Sequence, residues 1–137
     1  MSATIEELIP HRTPMRFIDA LTDCTDTTAS ATANFSADHF AVADGKVLES
    51  ALVECVAQTV AAALGQRAKN RGQSSGAANN GMLVAVTNFQ IQARPSAEKT
   101  LRIEIRELKR LAPMLMISSQ IFCEGQTIAS GELTLYA

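Results

Sequence analysis

The sequence predicts an α+β structure in which one antiparallel sheet curls around one long helix. Three observations carry this. The run from Leu48 to Lys69 holds no proline and places Leu52, Val53, Val56, Ala57, Val60, Ala61 and Leu64 around most of a helical circumference. Leu101, Ile103 and Ile105 alternate with Arg102, Glu104 and Arg106, the period of a sheet with one buried face. Turn-forming groups then cut the rest into strand-sized pieces: Arg94-Pro95-Ser96, Leu111-Ala112-Pro113 and Glu124-Gly125.

Taken in order, Ile5 to Ile9 suits a short helix that Pro10 and Pro14 bring to an end. Met15 to Leu21 is apolar and meets Thr22-Asp23, which predicts a strand; Thr27 to Phe35 predicts a second. Ser36 to Lys46 carries His39 and the turn pair Asp44-Gly45. The long helix would extend about 33 Å, and being apolar nearly all round it is expected to be buried nearly all round. Alanine dominates its later half, which permits close approach of a sheet. Asn70 to Gly81, reading NRGQSSGAANNG, is expected to be a mobile surface loop. Strands are then expected over Met82 to Ala93, around Leu101 to Arg106, over Met114 to Cys123 and over Gln126 to Tyr136. Met114 and Met116 are read as core or tunnel lining. One sheet covers only part of a helix and leaves edges unpaired, so a homodimer joined edge to edge is expected.

With 137 residues, 47% of them hydrophobic, residues 1–137 are expected to form a single domain with a true core. A formal net charge of -2 argues against a nucleic-acid partner. No apolar run approaches the roughly 18–20 residues of a membrane span. Met1-Ser2-Ala3-Thr4-Ile5-Glu6-Glu7 has no basic lead into an apolar segment, so a cytoplasmic location is expected. Cys24, Cys55 and Cys123 form no C-x-x-C and, with His11 and His39, no zinc spacing. They read as reduced thiols, and neither metal nor cofactor is expected.

The chemistry-bearing pair is His39 and Glu54, fifteen positions apart. A glutamate among small aliphatic side chains is expected to lose hydration, which favours its protonated form. An imidazole and a carboxylic acid converging on one substrate can remove a proton at one atom and deliver one at another. Gln58, one turn beyond Glu54, can orient that carboxyl or satisfy backbone groups. Free N–H groups near Leu48 to Ser50 could hold a developing oxyanion, whereas an inward Glu49 would oppose it. His11, between Pro10 and Arg12, is read as a packing residue.

Pro10-His11-Arg12-x-Pro14-Met15, running into an apolar strand that ends near Asp19, resembles the opening of the β-hydroxyacyl-acyl-carrier-protein dehydratases of the hotdog fold. His39-Phe40 and the helix carrying Glu54-Cys55-Val56-Ala57-Gln58 do so too. The branch it looks most like is the shorter dehydratase-like proteins of aryl-polyene and related lipid pathways, whose pre-helix segment reads much like Ala43-Asp44-Gly45-Lys46-Val47. The resemblance covers roughly Ile5 to Gly65. Asp38 stands where the major families have glycine, Ala41-Val42-Ala43 where they have prolines, and Glu49 near a helix-start glycine.

The resemblance implies elimination of water from a 3-hydroxyacyl thioester to give the 2-enoyl thioester, as in fatty-acid-like biosynthesis. His39 would take the proton and Glu54 would donate to the leaving hydroxyl, with Gln58, Glu49 and Ser50 lining the substrate site. The acyl group would ride on acyl carrier protein or coenzyme A. An acidic carrier calls for a basic surface, for which Arg67, Lys69, Arg71, Arg94, Lys109 and Arg110 are available. Two alternatives stand beside this: a hotdog thioesterase in which Glu54 activates water, and a non-catalytic subunit that completes a heterodimer with an active hotdog protein.

Overall fold

The computed structural model describes residues 3–72 and 82–136. Its elements are α1 (Ile5–Leu8), β1 (Ile18–Cys24), β2 (Thr28–Asn34), β3 (Val42–Ala43), β4 (Lys46–Val47), α2 (Glu49–Asn70), β5 (Met82–Ile91), β6 (Thr100–Leu111), β7 (Met114–Cys123) and β8 (Gln126–Tyr136). Among the described residues six strands form one antiparallel sheet in the order β1-β2-β6-β7-β8-β5, and β3 and β4 form a two-stranded ribbon whose Lys46 also bridges Ser96. Helix α2 lies against the β1-β2-β6 side of the sheet.

Strand alternation builds the inner face. Leu101, Ile103 and Ile105 of β6 are buried beside Leu115, Ile117 and Ile121 of β7 and Leu133 and Leu135 of β8. On β2 the buried positions are all alanine, Ala29, Ala31 and Ala33, and α2 brings Ala51, Ala62 and Ala63 into the same core. With no side chain longer than a methyl at these positions on either surface, helix and sheet can approach closely. Fully buried Leu52, Ile103 and Ile121 each contribute about 1.5–3 kcal/mol over an exposed placement.

Two tight turns need left-handed backbone. Glu124 and Gly125 have φ of 52° and 80°, and Asp44 and Gly45 have 55° and 75°, the signs of a two-residue hairpin turn. At Gly131 the constraint is space, since a Cβ there would lie 2.5 Å from the Phe89 backbone.

Several expectations are corrected. The first strand starts at Ile18, not Met15, because the chain turns just before it: the Met15 and Arg16 N–H groups both donate to the Arg12 carbonyl (2.7 and 3.1 Å). Helix α2 is not buried on every side. Val53, Glu54, Ala57, Ala61 and Leu64 form a half-buried stripe, as their three- and four-residue spacing dictates. Met116 lies on the outer face at 37% exposure, since Leu115 and Ile117 take the inward positions of β7. The apolar-charged alternation over Leu101 to Arg106 holds, with Leu101, Ile103 and Ile105 buried, and only beyond it does a bulge between Glu107 and Lys109 bring Lys109 opposite Met116. Of the loop expected over Asn70 to Gly81, Asn70 ends α2, Arg71 and Gly72 turn, and 73–81 lie outside the described residues.

Among the described residues strand β5 is an edge, paired only with β8. It exposes Leu83, Val84 and Val86, at 39%, 51% and 43%. Among the described residues no helix is long and apolar enough to cross a membrane.

Candidate active site

Gln58 organises the site. It is fully buried, and its amide nitrogen donates to the Met15 carbonyl and to Glu54 Oε2, both at 2.9 Å. Its amide oxygen accepts from the Phe17 and Ile18 N–H groups at 2.8 and 3.3 Å. Four bonds exhaust what a glutamine offers. One side chain therefore fastens the entry to β1 onto α2 and fixes one oxygen of the neighbouring carboxyl.

Glu54 is not desolvated as its apolar neighbours in sequence suggest. Its side chain is 38% exposed because it sits on the open stripe of α2. The imidazole beside it belongs to His11, whose Nε2 lies 3.5 Å from Glu54 Oε2. The two line a cavity of about 150 Å³ with Ala57, Ala61, Leu64, Leu83 and Leu135, so a polar pair heads an otherwise apolar slot between α2 and the β8-β5 edge.

His39 is placed elsewhere in the chain's own bonding. Its Nδ1 accepts from the Ala41 N–H at 2.9 Å, which puts the ring hydrogen on Nε2, and Nε2 donates to the Pro14 carbonyl at 3.1 Å. The ring stacks on Phe40 (4.7 Å, 24°) and meets Phe35 and Phe17 edge-on (5.1 and 5.5 Å). Among the described residues no hydrogen bond or ion pair joins His39 to Glu54. Both belong to one region nonetheless, since Pro14, which holds His39, adjoins Met15, which Gln58 ties to Glu54.

The start of α2 presents two exposed side chains. Glu49 does not point inward: its side chain is 60% exposed and its Oε1 lies 3.8 Å from Arg94 Nε. Ser50 is exposed. Arg94 itself donates to the carbonyls of Val47, Ala43 and Lys46 at 2.9–3.0 Å, clamping the β3-β4 turn rather than presenting charge outward. The N-cap Leu48 supplies no side-chain hydrogen bond, so the first amides of α2 keep their donor capacity.

The expected basic surface is largely spent as well. Arg67 donates to Thr25 and Thr28 carbonyls, Lys69 pairs with Glu7, and Arg110 with Glu107. Burial raises the thiols of Cys24 and Cys123, and that of Cys55 most strongly, so none is primed as a nucleophile. Among the described residues no three His, Cys, Asp or Glu side chains gather where they could hold a metal ion.

Sequence reasoning did not foresee the His11–Glu54 contact or the aromatic wall around His39. The first had no local signal, since its partner lies 43 positions away; Phe40, adjacent to His39, was a hint of the second.

A six-stranded antiparallel sheet folded over one long helix, with a polar cluster on the helix's open stripe, defines the hotdog class. A family model for the ApeP dehydratase matches residues 3–137, and the chain belongs to this ApeP-like family. Among solved structures it is similar to a chain of the dehydratase heterocomplex ApeI:P from Xenorhabdus doucetiae, at 21% identity and a TM-score of 0.89, covering 99% of this chain and 91% of that one. It is also similar to the phenylacetic acid degradation protein PaaI from Thermus thermophilus, at 13% identity and a TM-score of 0.65 over 85% and 90% of the two chains. A hypothetical thioesterase with coenzyme A from Streptococcus pneumoniae shares 9% identity with a TM-score of 0.65, over 85% and 83%. Comparison with curated proteins finds no match.

Proposed function

We propose that this chain is a subunit of a dehydratase that eliminates water from a 3-hydroxyacyl thioester, carried on acyl carrier protein or coenzyme A. The observation that carries the reading is Glu54, held by Gln58 at the head of an apolar slot that opens beside the unpaired β5 edge. Glu54 acts as the general acid, delivering a proton to the 3-hydroxyl, which leaves as water. The proton on the carbon next to the carbonyl passes to an imidazole, and the developing enolate oxygen takes hydrogen bonds from the Glu49 and Ser50 amides. His39 is that imidazole, reaching Glu54's substrate across a twofold that pairs β5 with the β5 of a second copy. Family membership supports the reaction class.

The bonding of His39 favours a second arrangement. A base needs a free lone pair, and here Nδ1 accepts from Ala41 while Nε2 donates to Pro14. In the second arrangement the chain lends Glu54 to a different hotdog protein, which supplies the working histidine.

The test is hydration of crotonyl-coenzyme A by the purified protein, alone and mixed with a related hotdog dehydratase. Hydration by the protein alone, lost by about 10²–10⁴-fold in Glu54→Gln and in His39→Ala, supports the homomeric site. Hydration only in the mixture, sensitive to Glu54→Gln but not to His39→Ala, supports the lent acid. Release of free thiol makes the protein a thioesterase and rejects both.

A further inference from the structure

We infer that His11 is a positioning residue for Glu54, a role that deepens the dehydratase reading and rests on it. The geometry has three parts. His11 Nε2 approaches the same carboxylate oxygen, Oε2, that receives the Gln58 amide. With both neighbours on Oε2, Oε1 is the oxygen assigned to the slot. The other ring nitrogen, Nδ1, is buried and has no hydrogen-bond partner, so the polar attachment of this ring runs through Nε2. A ring present only for packing would gain nothing from facing a carboxylate with one nitrogen while burying the other unpaired.

The loop that carries His11 is itself held. Arg12 donates to the carbonyls of Ile9 and Glu6 at 2.8 and 3.0 Å, which folds the loop back on α1. Gln58 then bonds the far end of the loop at Met15, Phe17 and Ile18. Loop and helix thus meet at one glutamine, and His11 and Glu54 are presented from the two sides of that joint. At 3.5 Å the pair is loose; a shift of roughly 0.5 Å brings it to hydrogen-bonding length, a tightening expected when substrate fills the slot. His11 is not the proton acceptor of the reaction in this assignment. It acts through Glu54.

The test uses the full chain in whichever assembly hydrates crotonyl-coenzyme A. His11→Ala is expected to lower kcat by about tenfold or more with KM within about twofold, since the carboxyl loses its setting and not the substrate its pocket. Adding 4-methylimidazole, or substituting His11→Gln to restore a donor near Nε2, is expected to recover part of kcat; a ring that merely fills space would not be replaced by glutamine. Full kcat in His11→Ala overturns the proposal, and so does a loss that neither imidazole nor His11→Gln relieves. Independently of activity, ¹⁵N-resolved spectra of the His11 ring should show the hydrogen on Nε2 in the wild type and a redistribution in Glu54→Gln. An unchanged ring overturns the pairing. Wild-type protein that hydrates no thioester in any assembly, with a ring that does respond to Glu54→Gln, retires the dehydratase reading and leaves the His11–Glu54 pairing in place.

Discussion

Gln58 shows how one buried polar side chain can pin a loop to a helix and hold a neighbouring carboxyl at once. A glutamine in a helix core costs free energy unless each donor and acceptor is matched, and here all four are. Gln58→Met keeps the volume but strands the Phe17 and Ile18 amides, the Met15 carbonyl and the Glu54 carboxyl together. The expected cost is about 2–4 kcal/mol, read as a lower urea midpoint with unchanged slope. A loss below about 1 kcal/mol would mean the β1 entry finds other partners. Glu54 teaches the complementary lesson: apolar neighbours in sequence do not bury a residue that faces the open stripe.

Among elements, the short α1 depends on α2 for its place. Four residues cannot hold a helix in water on their own. Ile5 and Leu8 bury against the core, and the Thr4 N–H and hydroxyl both donate to Glu7 at 3.1 and 3.0 Å. Lys69, at the far end of α2, pairs with the other Glu7 oxygen at 2.9 Å. The Lys69 hydrogen bond, with help from Thr4, lowers the Glu7 carboxyl from its ordinary value to about 2. A depressed carboxylate stabilises the folded state above its unfolded value near about 4.3 and loses that contribution as pH falls toward about 2. Protection factors of residues 5–9, taken against the intrinsic exchange rate at each pH, should therefore fall between about pH 4.5 and 2 in the wild type, and less so in Glu7→Gln. An equal fall in both proteins would remove Glu7 as the cause. The register shift between Thr87 and Gln90 of β5, against β8, belongs to the same scale: within it Phe89 crosses Gly131 so closely that only glycine leaves room.

For the whole molecule, the decisive feature is the unpaired β5 edge. An exposed strand with Leu83, Val84 and Val86 and no lysine or proline along it is a surface that proteins normally cover. If a second copy pairs along β5, a Val84→Lys, Val86→Lys double variant raises that pair's dissociation constant by about 100-fold, seen as monomer by light scattering with the circular dichroism of the fold retained. If the active site is shared across that edge, activity falls in step with the dimer. A variant with unchanged mass would move the interface elsewhere on the sheet.

The local pattern was enough for the long helix and the main strands, though not for the start of β1 or the short β3-β4 ribbon. Period-two alternation in Leu101 to Arg106, the proline-free run of α2 and the Glu124-Gly125 turn each depend on near neighbours, so strands, helix and hairpin were readable from residues alone. The Pro10-His11-Arg12 and Glu54-to-Gln58 segments carried the family. What only the tertiary structure decided is which groups meet. His11 reaches Glu54, while His39 turns to Pro14 and Ala41; Glu49 swings out to Arg94, and Met116 faces outward. Contacts across 43 positions follow from how the entry loop is pinned on the helix, and no spacing in the sequence encodes that closure.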